Sequence, residues 1–132
     1  MVGHSGNFDY VEYVAEYAPH DLHTLDNLGR AVDLFDDFSG MIKVEQGVGE
    51  WLANRAIGAG IQNVLFADIR DVADAAAAVR AVRADVPGSA GEHGVNMRRY
   101  VRFGMDAGTP EFVDALEEAV VAVMIEKQSA VE

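Results

Sequence analysis

Ionisable side chains stand directly behind short runs of β-branched and aromatic residues: Glu16 with Tyr17, Lys43 with Glu45, Asp68, and Glu126 with Lys127. Side chains alternate along a strand, so Glu12, Val14 and Glu16 share one face, as do Met41, Lys43 and Glu45, and Met124 and Glu126. Facing a common mouth, these groups would bring several carboxylates and an ammonium together. A divalent cation is a common way to stabilise such crowding, and hard oxygen donors favour Mg²⁺ or Mn²⁺ over zinc. Plainer readings stand beside this one. A carboxylate at a strand end also serves as a solvated loop residue or a helix cap, and Asp68, followed by Arg70 and Asp71, reads best as capping. Lys43 reads either as a Schiff-base lysine or as an anion anchor or ion-pair partner.

Arg98, Arg99 and Arg102 form the basic cluster of an acidic chain and are expected to bind a substrate carboxylate or phosphate, or to make a subunit contact. The histidines at 4, 20, 23 and 93 are dispersed, and His20 and His23 lack a third metal donor nearby. Trp51 is expected on a buried helix face.

The elements that must position these groups follow from periodicity. Tyr10 to Ala15, Met41 to Val44, Asn63 to Ala67 and Val120 to Ile125 read as strands. Leu22, Leu25, Leu28, Val32 and Phe35 recur at helical spacing behind Asp21, an N-cap. A second helix spans about Val48 to Ala59 and stops at a glycine pair; a third begins at Asp71 and ends before Pro87-Gly88. After a glycine-rich stretch to Gly108, Thr109-Pro110-Glu111 opens a helix through Glu118. Alternating strands and helices predict parallel strands with crossover helices, and the near-continuous apolar strands predict cover on both faces. No GxGxxG or GxxxxGK[ST] motif follows any strand, which weakens a nucleotide-binding version. Four strands make half of a (β/α)8 barrel, so residues 1–132 read as one partial barrel domain, an internal piece of a longer enzyme or a half that must pair.

With 22 acids against 10 bases and a formal charge of −12, the surface repels phosphates, and nucleic acid is not an expected partner. Zero cysteines exclude a disulfide frame or thiol nucleophile. The apolar runs are too short to span a bilayer and the polar opening is no signal peptide, so a cytoplasmic protein is expected.

The motifs resemble those of the HpcH/HpaI aldolases, metal-dependent pyruvate aldolases on a (β/α)8 barrel. Residues 8–21, with Glu16-Tyr17-Ala18-Pro19, resemble the family's strand followed by Glu-His-Ala/Gly-Pro. Residues 56–66 resemble its Leu-Asp-Ala-Gly-Ala-Gln-Gly-Val-Leu-Val-Pro run, residues 72–83 the next helix, and residues 121–132 the strand carrying the metal-binding Glu. The resemblance corresponds to the second through fifth barrel strands. It implies a carbon–carbon lyase that cleaves or forms 4-hydroxy-2-oxo acids, taking a 2-oxo acid and an aldehyde, working as a homo-oligomer with Mg²⁺ or Mn²⁺. It places Glu126 on the metal ligand, whose Asp partner lies beyond the end of this chain. Tyr17 falls where the family has a catalytic His, Lys43 where it has an Arg, and Met124 where it has a Gln beside the metal. Either Tyr17 or His20 then takes the proton-transfer role with Glu16 supporting, or the domain has diverged to a non-catalytic role in binding or assembly.

Overall fold

The computed structural model describes residues 2–45, 47, 49–95 and 107–131. Four strands, β1 (Tyr10–Val14), β2 (Ser39–Val44), β3 (Asn63–Phe66) and β4 (Val121–Val123), form one sheet in the order β1-β2-β3-β4, and every neighbouring pair is parallel. The crossovers are α1 (Leu22–Val32), α2 (Gly49–Gly58), α3 (Val72–Val82) and α4 (Pro110–Glu118). This is the expected α/β architecture, a partial barrel of four parallel strands.

The helix starts are written in the sequence. The Asp21 carboxylate accepts from the Thr24 N–H at 2.7 Å, and Asp71 accepts from the Asp74 N–H at 2.9 Å. Thr109 Oγ1 accepts from the Phe112 N–H, with Pro110 in the first turn. Helix α2 ends as its glycines predict: Gly60 adopts φ 100°, its N–H donates to the Ile57 carbonyl, and the Ile61 N–H reaches back to Ala56.

The sheet buries one face under the helices. Gly40, Ile42 and Val44 of β2 and Val64 and Phe66 of β3 point into that layer, against Leu52, Ala53, Ala56 and Ile57 of α2 and Ala78, Ala81 and Val82 of α3. The alternate positions, Met41, Lys43, Asn63 and Leu65, lie on the other face and are only half-buried. A closed barrel would place that second face inside.

Trp51 departs from expectation, being 53% exposed. Small residues let α2 approach its neighbours closely: Gly49, Ala53 and Ala56 take the packed stripe with Leu52 and Ile57. The indole lies on the flank, where the Arg55 guanidinium sits 5.4 Å from its ring centre.

Candidate active site

At the carboxyl end of β1 the chain is tied twice to β2. The N–H groups of Ala15 and Glu16 both donate to the Lys43 carbonyl, at 3.0 and 3.2 Å, fixing the β1 exit against the last turn of β2. The side chains follow the backbone: Lys43 Nζ lies 2.6 Å from Glu16 Oε2, and the two side chains are only 13% and 11% exposed. The Tyr17 ring covers the same ammonium, with its centre 5.4 Å from Nζ.

A second pair closes the β3–β4 side. The Met124 N–H donates to the Phe66 carbonyl and the Ile69 N–H to the Met124 carbonyl, which holds the two strand exits together. Across them Lys127 Nζ meets Asp68 Oδ1 at 2.8 Å. Asp68 is the non-glycine residue with a left-handed backbone among those described, at φ 56°. That conformation is uncommon outside glycine, though short polar side chains such as aspartate tolerate it. Asp68 is therefore an ion-pair residue, correcting its reading as a cap; Asp71 holds the cap, and Arg70 grips Asp74 instead. Exposed Glu126 completes the cluster, and its charge acts on both ammonium groups.

The electrostatics follow from these contacts. The bond to Lys43 holds the Glu16 carboxyl below its ordinary range, against the opposing effect of burial. The same bond raises the Lys43 ammonium above its ordinary value, and Asp68 does so for Lys127. Glu16 also raises the Tyr17 phenol, through a hydrogen bond before anything else. Near neutrality both lysines are charged and Tyr17 is a proton donor. Lys43 thus takes the ion-pair form of its two readings, because a protonated amine is no nucleophile.

A pH dependence follows. With its native pKa depressed, Glu16 binds more protons unfolded than folded, so its contribution is complete above about pH 4.5 and is lost as pH falls through the lower native value. Urea unfolding of the native chain and Glu16→Gln is expected to show a stability gap at pH 6 to 7 that shrinks below pH 4.5. A gap independent of pH rejects the assignment.

The other sequence candidates sit apart. His20 Nδ1 is 3.2 Å from the Ala18 carbonyl, which can only accept, so Nδ1 carries the hydrogen of that contact. The His20 ring packs edge-on to Tyr13, which lies against the helix-side core. Arg98 and Arg99 lie outside the described residues. Lys127 is the residue that sequence reasoning undervalued. The available signal was that Lys43 and Lys127 are the only lysines in the sequence and both follow strand ends.

A divalent metal needs several oxygen donors turned to one point. Among the described residues no three His, Asp or Glu side chains are grouped to hold one. Glu16 and Asp68 already face ammonium groups, and Glu126 is exposed. These residues do not fit a metal centre.

Comparison with known proteins agrees with the topology. A crystal structure of an HpcH/HpaI aldolase/citrate lyase family protein from Burkholderia cenocepacia J2315 matches with a TM-score of 0.81 and 29% identity, over 98% of this chain and 50% of that one. The chain resembles the HpcH/HpaI family. The HpcH/HpaI likeness spans about half the length of that protein. The crystal structure of the citrate synthase SbnG matches with a TM-score of 0.66 and 16% identity, over 95% of this chain and 45% of that one, a likeness of fold alone. No family model matches the sequence, and no curated protein does. Among the described residues, no helix is long and apolar enough to cross a membrane.

Proposed function

We propose that this chain forms the substrate-facing half of a carbon–carbon lyase acting on 4-hydroxy-2-oxo acids, with pyruvate and an aldehyde as the products of cleavage. The observation that carries this reading is the meeting of Glu16, Tyr17, Lys43, Asp68, Glu126 and Lys127 at the carboxyl ends of four parallel strands. Parallel α/β barrels place their chemistry at that end, and the likeness to an aldolase/citrate lyase family protein supports the reaction class.

In retro-aldol cleavage the C4 hydroxyl gives up its proton, the C3–C4 bond breaks, and its electron pair moves into the 2-oxo group to form an enolate. The Lys43 ammonium offsets the charge gathering on the enolate oxygen, and Glu16 positions that ammonium. Tyr17, held protonated, suits the return of a proton to C3. His20, packed on Tyr13 apart from the mouth, takes no step, and the hydroxyl proton leaves to solvent water. The Mg²⁺ or Mn²⁺ implied by the family resemblance supplies no step here, since the donors do not fit it. A homo-oligomer in a cytoplasmic setting accompanies the reading.

The test is coupled detection of pyruvate from a 4-hydroxy-2-oxo acid, using the protein that contains this chain. Pyruvate release that saturates with substrate supports the lyase. A folded protein that releases none, and does not exchange the methyl protons of pyruvate with solvent, shows a binding or assembly domain instead.

A further inference from the structure

We propose that the mouth of this half-barrel is neutralised from within by Lys43 and Lys127, and that these ammonium groups stand where a divalent cation would otherwise be required. The inference rests on the lyase reading for the location of the mouth and departs from it on what supplies the positive charge.

Three carboxylates, Glu16, Asp68 and Glu126, stand at the exits of β1, β3 and β4. Like charges crowded at a strand end repel one another, and something positive must sit among them. A chain with 22 acids against 10 bases has little positive charge to spare, yet both of its lysines are placed here. Each makes a close contact: Nζ of Lys43 to Glu16 at 2.6 Å and Nζ of Lys127 to Asp68 at 2.8 Å. The backbone is shaped for the second contact. Asp68 takes a left-handed conformation at the strand exit, and the bonds joining Phe66, Met124 and Ile69 keep Asp68 within reach of Lys127.

A metal ion needs several oxygen donors turned to one point. Here the Lys127 ammonium already holds Asp68 at 2.8 Å, and the charge of Glu126 acts on the same ammonium, so the positive charge a cation would bring to this strand end is supplied by the side chain. The chemical consequence is a mouth that presents N–H donors to a bound 2-oxo acid. Lysine serves as a point charge with three donors, and each ammonium keeps hydrogens beyond the one it directs at its carboxylate.

The experiment is a titration with Mn²⁺ alone, followed by the loss of the free-ion electron paramagnetic resonance signal, on the native protein and on Lys127→Met, Lys127→Gln and the double variant Lys127→Met with Asp68→Asn. The native protein is expected to show no saturable site tighter than about 1 mM. Removing the Lys127 charge should unmask Asp68 and Glu126 and tighten Mn²⁺ binding about tenfold or more, and the added Asp68→Asn should abolish that gain. Circular dichroism identifies variants that keep the fold, and the two Lys127 replacements guard against one failing to do so. Stoichiometric Mn²⁺ binding by the native protein that disappears in Glu126→Gln overturns the proposal, as does the absence of any gain in the folded Lys127 variants. Pyruvate release is read separately, so a metal-requiring lyase would refute this inference while leaving the lyase reading in place.

Discussion

Lys43→Met is expected to lower the turnover of pyruvate release by about 100- to 1,000-fold, the range seen when one donor to a developing oxyanion is removed. Methionine keeps an unbranched apolar stem beneath the Tyr17 ring and removes only the charge and its donors. Two effects then combine. On the proposed reaction the enolate oxygen loses the ammonium assigned to it, and Glu16, with a side chain only 11% exposed, loses its partner 2.6 Å away. A carboxylate so enclosed and without its partner shifts toward its neutral form. Lys43→Arg restores the charge with a planar fork and is expected to recover part of the turnover. Two measurements separate catalysis from support: kcat against KM for both variants, and the Glu16 carboxyl titration followed by NMR. A purely structural Lys43 would move the titration and leave kcat of the folded variant close to native. The catalytic assignment fails on that result.

The parts of this molecule legible from sequence are those fixed by neighbours along the chain. Asp21, Asp71 and Thr109-Pro110 announce helix starts because a cap acts within three residues, and each is found capping. The strands are short apolar runs, and their parallel order follows from the helices between them. Alternation grouped Glu16 with Glu12 and Lys43 with Glu45 within their own strands; the register between β1 and β2 puts the two sets on one face and pairs Glu16 with Lys43.

What escaped the sequence depends on distant partners or on backbone shape. Asp68 precedes a helix closely enough to resemble a cap, whereas its φ of 56° and its contact with Lys127 depend on how β3 and β4 exit together. Trp51 was misplaced because hydrophobicity alone assigns a large indole to the core. The close packing of α2 instead selects glycine and alanine for its buried stripe and leaves the ring to Arg55. For Glu126 the resemblance supplied a metal role; that Glu16 and Asp68 are held by lysines is visible only once the strands lie side by side.

Gly91→Ala is expected to destabilise the fold by about 3 kcal/mol through a collision that cannot relax cheaply. A Cβ at Gly91 would lie 2.3 Å from the carbonyl oxygens of both Arg83 and Ala84. These are backbone atoms at the end of α3, so no rotamer change relieves the overlap. The segment beyond Gly91 is bonded to that same stretch: the His93 N–H donates to Arg83 and the Asp85 N–H to His93, each at 2.9 Å. Moving residues 91–93 away breaks this short parallel bridge and exposes the buried His93. The disturbance travels further through Arg83, whose Nη1 donates to the Leu116 and Ala119 carbonyls at 2.7 and 3.0 Å and so closes the end of α4 just before β4. Because β4 leads directly to Glu126 and Lys127, loss of this clasp should also loosen the mouth. Urea unfolding of Gly91→Ala beside Ala90→Ser, an exposed neighbour expected to stay within about 0.5 kcal/mol of native, provides the measurement. Equal midpoints for the two variants would show that the chain bypasses the overlap, and the clasp between α3 and α4 would then not be what orders the approach to β4.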